Sequence, residues 1–392
     1  MNLADKIDRR EFLKWLIGLG GAAALGYALR RIVAPRPSAP PLTPTSTAAP
    51  TSTQPTGTST PSPTPTSGPP ASPTATEAAP PTQPPPPTPT EIPWVYPNGV
   101  SKLGLHTIKP NNAFPFVRSV TEAGATVKLV KALGGIGLLR EIKSVSPETV
   151  TIGRADRTEN LGAQGDPTAR AQQIMGEHMQ VWQGERDFVD YWEVLNEPDP
   201  DGPEGHVWLA RFYITAMEIA EANGYRLALF SYSAGVPEWN EWAAIVETGI
   251  FARAKAGGHI LALHEYDWPT LRDSFGGSIP DQPAYEPDRG VLAVRYRHLY
   301  RDFLIPRDEV VPLAITECGL DTGVTGGTMD PYWERRWLKE MAWYDSKLVE
   351  DDYVLGAAIF TLGGGAEWRD FDYERLLPDL REYLLAQHRK YG

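Results

Sequence analysis

A single cysteine, Cys318, in 392 residues excludes an intramolecular disulfide framework, and no CxxC or other thiolate cluster can form. The seven histidines stand singly, at 106, 178, 206, 259, 264, 298 and 388, without an HExxH or HxH pair, so no metal site is expected. Basic charge is also short: 37 Lys and Arg face 49 Asp and Glu, a formal net charge of -12. That balance disfavours nucleic acid and anionic membrane surfaces as partners and suits uncharged substrates. Nothing in the sequence calls for a cofactor.

What is present divides unevenly along the chain. Residues 1 to 34 open with a basic stretch and a run of weakly apolar residues from Trp15 to Leu29, closed by Arg30-Arg31. Arg9-Arg10-Glu11-Phe12-Leu13-Lys14 resembles the twin-arginine export signal. The resemblance implies the twin-arginine export machinery as a partner and an exported protein, at the cell surface, membrane-anchored or secreted. Ala24-Leu25-Gly26 offers a small-residue cleavage site, while an uncleaved segment would serve as an N-terminal anchor and the chain's sole contact with a membrane; both readings stay open. Residues 35 to 93 are almost entirely Pro, Thr, Ser and Ala, with too little apolar surface to offset the entropy of ordering. They are expected to be a disordered tether, up to roughly 180 Å long if polyproline-like at about 3.1 Å per residue.

The remainder, 94 to 392, carries the core-forming residues, most of the 12 Trp among them. Eight short apolar or β-branched runs recur in it: KLGLHT at 102, TVKLVKAL at 126, TVTIGR at 149, YWEVLN at 191, RLALFSY at 226, HILALHEY at 259, VPLAITE at 311 and LGAAIFTL at 355. Segments of helical period lie between them, such as Ile174, His178 and Trp182, or Trp333, Trp337, Met341, Tyr344 and Leu348. Continuous apolar strands point to a sheet buried on both faces, and eight βα units in this length match an α/β (β/α)8 TIM barrel. An open doubly wound sheet should show a Gly-rich phosphate turn after its first strand, and GLHTIKPNN is not one.

In such a barrel the chemistry gathers where strands end in loops at the C-terminal face. Two runs end in a glutamate: WEVLNEPD delivers Asn196-Glu197 after the fourth, and PLAITECGLD delivers Glu317 after the seventh. The sixth adds His264 and Tyr266 in LHEYDW. In order and placement these residues resemble glycoside hydrolase clan A, the retaining barrel glycosidases, in its cellulase-type family or a close relative. The resemblance implies an O-glycosidase cleaving a β-linked poly- or oligosaccharide by double displacement. Glu197 would be the acid/base and Glu317 the nucleophile; Tyr266 would donate to Glu317, and Asn196 would bind the sugar's 2-hydroxyl. Glycosidic cleavage needs one protonated and one ionised carboxyl, so their environments must differ.

His106 and Arg154 at the ends of the first and third runs and Lys131 late in the second could aim polar groups at a sugar; Arg154 and Lys131 could equally pair with the two glutamates or with each other. Trp239, Trp268 and Trp368 fall in loops where aromatic faces suit sugar stacking. One departure from the clan pattern is Leu362, which stands where many members place a stacking Trp, and Trp368 is the candidate substitute. Cys318 is expected to pack on the opposite face. A non-catalytic carbohydrate-binding or cell-wall structural protein on the same barrel is the other reading; a pure binder has no use for a carboxylate pair at retaining distance. The specific sugar, endo or exo action, and hydrolysis against transglycosylation are not encoded in these motifs.

Replacing Arg9 and Arg10 by Lys is expected to block export and leave folded protein in the cytoplasm, as fractionation would show; unchanged export would remove the twin-arginine reading. A chain beginning near Trp94 is expected to fold and to keep its activity.

Overall fold

The computed structural model describes residues 99–109, 112–155, 164–320 and 333–392. The twin-arginine-type segment, the Pro/Thr/Ser tract and the boundary at 94 lie outside the described residues. No described helix is long and apolar enough to cross a membrane.

The eight runs form strands β1 (Leu103–Thr107), β2 (Leu129–Leu133), β3 (Val150–Arg154), β4 (Tyr191–Glu193), β5 (Leu227–Tyr232), β6 (Ile260–Asp267), β7 (Leu313–Leu320) and β8 (Val354–Leu362). Each pairs in parallel with the next, and β8 returns to β1, closing the barrel. Helices α1 (Ala113–Glu122), α2 (Gly137–Val145), α3 (Pro167–Trp182), α4 (Gly202–Ala222), α5 (Trp239–Val246), α6 (Ile250–Gly257), α7 (Tyr296–Leu299), α8 (Trp333–Val349) and α9 (Leu377–Tyr391) lie in the connections and after β8. The expected (β/α)8 barrel is therefore present. β4 is shorter than its apolar run: the ladder stops at Glu193, and Val194 to Asn196 leave it as a loop that carries Asn196 and Glu197 over the barrel mouth.

Alternation along the strands sorts their side chains into two packings. Leu129, Ile152, Ala228, Ile260, Ala262, Ala314 and Ala358 form one buried cluster, the floor of the barrel interior. Val130, Ala132, Leu229, Leu261, Leu263 and Ile315, of opposite phase, join the larger core between strands and helices. The interior is crowded enough that Gly104 of β1 admits no side chain, since a Cβ there would sit 2.1 Å from the Leu129 carbonyl oxygen. Above the apolar floor the inward positions turn polar, with His106, Lys131, Arg154, Glu193 and His264 all buried.

Strict alternation from Ala314 would place Thr316 inward and Glu317 outward. The β6–β7 pairing instead runs from Leu263↔Ile315 directly to His264↔Glu317 and skips Thr316. This β-bulge reverses the phase, so Glu317 enters the barrel and Cys318 joins the outer core, buried as expected.

β6 is anchored on its outer face by Glu265, whose carboxylate accepts from the Tyr344 hydroxyl at 2.6 Å, the Val294 N–H at 2.7 Å and the Tyr296 N–H at 3.1 Å. Burial nevertheless pushes this carboxyl up to about 7. Its folded value lies above that of the unfolded chain, so its contribution favours the fold at low pH and is lost as the pH rises through about 7. Glu265→Ala strands three donors and is expected to cost at least about 3 kcal/mol in denaturant unfolding. The gap between wild type and variant is expected to widen as the pH falls from about 8 to about 5; a gap that narrows would contradict the assignment.

Candidate active site

The bulge on β7 delivers Glu317 into a ring of side chains from four other strands. Its Oε1 accepts from Lys131 Nζ of β2 at 3.0 Å and from an Arg154 guanidinium N–H of β3 at 3.2 Å, with His106 Nε2 of β1 at 3.6 Å. Its Oε2 accepts from the Tyr266 hydroxyl at 3.2 Å and lies 3.6 Å from His264 Nδ1, both on β6. Burial alone would raise this carboxyl; the His264 imidazole and the Lys131 and Arg154 cations outweigh it and hold Glu317 well below its ordinary value. Glu317 is therefore a carboxylate at any near-neutral pH. Burial, with the cations beside it, outweighs the pull of Glu317 on His106 and keeps that imidazole neutral, with Nδ1 2.8 Å from the Thr361 hydroxyl of β8. Burial also raises the Tyr266 phenol well above its ordinary value, reinforced by Glu317, so it remains a donor.

Sequence reasoning did not single out Glu193. It ends β4, fully buried, with Oε2 2.8 Å from Lys131 Nζ and 3.8 Å from Arg154. Burial pushes its carboxyl up, but Lys131, Arg154 and His264 overcome that and lower it. Lys131 is thus shared between two carboxylates, one below the site and one in it. The signal was readable: a Glu inside a run expected to be buried on both faces must have a cation partner. That Lys131 and Arg154 could pair with glutamates was among the sequence expectations, and both do.

Glu197 sits differently. Its side chain is 29% exposed against 8% for Glu317, and its Oε1 lies 2.9 Å from His264 Nδ1. Its backbone is in the left-handed region, φ 49, which a non-glycine residue adopts only when its surroundings enforce it. The enforcing contact is its N–H donating to the Ser231 carbonyl at 3.0 Å. Ser231 itself follows Phe230 through two left-handed positions where the β5–β6 register shifts. Asn196 is exposed, and its Oδ1 accepts from the same Arg154 guanidinium that holds Glu317. Arg154 therefore ties the β4 loop to the β7 carboxylate.

The aromatic candidates separate. Phe360 of β8, also missed from sequence, lies between His106 and Tyr266, with ring centroids 4.8 and 6.3 Å away. Trp368 is half-buried and packs edge-on against Phe360 at 5.2 Å, so it does reach the site's wall from the loop after β8. Leu362 is fully buried in the outer core, so the aromatic residue that β8 places beside the site is Phe360, two positions earlier. Trp268 is 40% exposed beyond β6. Trp239 is not free for stacking: it opens α5, donates from Nε1 to Asp302 at 2.9 Å and packs on Phe303.

Glu197, His264 and Glu317 each bring one oxygen or nitrogen within 4.8 Å of the others. A divalent cation there would face the Lys131 and Arg154 head groups, already 3.0 and 3.2 Å from Glu317. Those two cations beside Glu317 make the cluster a poor place for a metal ion.

No family model matches the sequence, and no curated protein matches it. Among solved structures, the chain is similar to an endo-β-1,4-glucanase from Xanthomonas axonopodis pv. citri, at 11% identity over 73% of this chain and 100% of that one, TM-score 0.43. It is also similar to a glycoside hydrolase family 5 enzyme from Prevotella bryantii B14, solved with a xyloglucan tetradecasaccharide, at 12% identity over 74% and 94%, TM-score 0.40. A third is the mannanase catalytic domain from Streptomyces sp. SirexAA-E, at 16% identity over 67% and 75%, TM-score 0.36.

Proposed function

We propose that this protein is an exported retaining glycoside hydrolase of the clan A type, acting on a β-linked poly- or oligosaccharide, with Glu317 as nucleophile and Glu197 as acid/base. The observation that carries the reading is the unequal setting of two facing carboxyls. Glu317 is buried among cations and donors that keep it ionised, while Glu197 is open to the mouth and meets His264. One oxygen of each lies within 4.8 Å of the other, which favours the spacing of about 5 to 5.5 Å used for double displacement over the about 6.5 to 9.5 Å that leaves room for an inverting water.

In the first step a Glu317 oxygen bonds to the anomeric carbon. The bond to the leaving oxygen breaks with its electron pair, and that oxygen takes the proton of Glu197. His264 Nδ1, 2.9 Å from Glu197 Oε1, is placed to stabilise the carboxylate so formed. In the second step Glu197 accepts a proton from water, whose oxygen attacks the same carbon and releases Glu317. Throughout, Tyr266, Lys131 and Arg154 fix the orientation of Glu317, and Phe360 with Trp368 lines the sugar's apolar side.

Glu197→Ala is expected to lower turnover of substrates with poor leaving groups about 10²- to 10⁴-fold. Activated aryl glycosides should still load Glu317, and azide should release them with retained configuration. Glu317→Ala with azide should give the inverted glycosyl azide. Wild-type product of inverted configuration, seen by proton NMR of the fresh anomer, would overturn the assignment. Tyr266→Phe removes a donor to Glu317, so its carboxyl should move up and the acidic limb of the kcat/KM profile should shift to higher pH, with a loss of about 10- to 100-fold. An unmoved limb would show that Tyr266 does not act on the nucleophile.

A further inference from the structure

Glu193 is the one buried carboxylate of this cluster that no step above uses. It lies under the site, fully buried, and shares Lys131 with Glu317: Lys131 Nζ is 2.8 Å from Glu193 Oε2 and 3.0 Å from Glu317 Oε1. Arg154 spans the same two carboxylates, at 3.8 and 3.2 Å. Among the described residues, Glu193 Oε1 has no hydrogen-bond partner, so Lys131 and Arg154 are the charges that answer this carboxylate. The other groups facing this cluster are His106 from β1, Glu197 from the β4 loop, His264 and Tyr266 from β6, and the Tyr213 hydroxyl from α4, whose proton Glu193 and burial help to retain.

Resting on the glycosidase reading, we propose that Glu193 is a positioning residue, a fixed counter-charge that holds Lys131 and keeps the buried cations balanced when Glu317 gives up its own charge to the sugar. In the resting site two cations, Lys131 and Arg154, face two anions, Glu193 and Glu317. Once a Glu317 oxygen has bonded to the anomeric carbon and the leaving group has departed with its electron pair and the Glu197 proton, the resulting ester is neutral. Among the described residues, Glu193 is then the only carboxylate still paired with Lys131, since Glu197, now ionised, meets His264 instead. Without it, both cations would bear on Glu317 alone, which would over-stabilise the free carboxylate, weaken it as a nucleophile and destabilise the ester. Glu193 acts through Lys131 and does not touch the sugar.

Three variants test this: Glu193→Gln, Lys131→Met and the double substitution. Each single change leaves a buried charge uncompensated, whereas the double removes one anion and one cation together. Glu193→Gln is expected to slow glycosylation by an activated aryl glycoside about 10- to 100-fold in kcat/KM and to lower the amount of glycosyl-enzyme at steady state. The double variant is expected to recover at least about tenfold over Glu193→Gln and to unfold at a higher temperature than either single variant. A mere packing role predicts additive losses, so a double variant no better than the worse single one overturns the proposal.

A second readout needs no turnover: titration of the Glu317 carboxyl by carbon-13 NMR, assigned through Glu317→Gln. Lys131→Met should raise its midpoint, and adding Glu193→Gln should bring it back down. A midpoint that does not respond overturns the counter-charge whatever the kinetics show. Responsive titration in a wild-type protein that hydrolyses no β-glycoside would instead overturn the glycosidase reading alone.

Discussion

A carboxylate removed from water is stable only where cations and donors replace the solvent, and the burial of Glu317 places that demand on most of the barrel. β1 supplies His106, β2 Lys131, β3 Arg154, β6 His264 and Tyr266, and β8 the Thr361 hydroxyl that orients His106. Only a closed ring of parallel strands brings so many strand ends to one point, and only an apolar floor of Ala, Leu and Ile below keeps water from entering underneath. The same demand explains Glu193: two cations gathered around one carboxylate leave an excess that needs a second anion within reach of both.

The strand count, the parallel order and the two glutamates were legible because they depend on local pattern: apolar runs of strand length, helical periods between them, and a charged residue where a run stops. His264 and Tyr266 were legible for the same reason, two residues apart on one strand and so on one face. What was not legible depends on registration between strands far apart in sequence. Thr316 reads as an ordinary strand residue, yet the bulge it forms decides that Glu317 faces inward. The tie from Glu193 to Lys131 joins β4 to β2 and appears only once the barrel has closed. The aromatic wall shifts from Leu362 to Phe360 because the end of β8 does not keep the simple alternation that a sequence reading assumes.

Local strain is concentrated at the second carboxyl. Glu197 holds a left-handed backbone, and the segment that accepts its N–H contains two more such residues, Phe230 and Ser231. These conformations lift Glu197 off the β4 ladder toward the open mouth while His264 keeps its carboxyl turned back toward Glu317. Exposure and contact are thereby set independently for the two acids, one sealed by cations and one open to the mouth. This division of environment, rather than any single residue, is the basis for assigning them different roles.

The assignment can be tested at the covalent bond itself. A 2-deoxy-2-fluoro glycoside with a good leaving group, matched to whichever aryl β-glycoside the protein hydrolyses, slows release of the glycosyl-enzyme enough for peptide mass spectrometry. The account predicts stoichiometric inactivation with the sugar mass on the peptide that contains Glu317. A label on Glu197 or Glu193, or hydrolysis without any trapped intermediate, would contradict it.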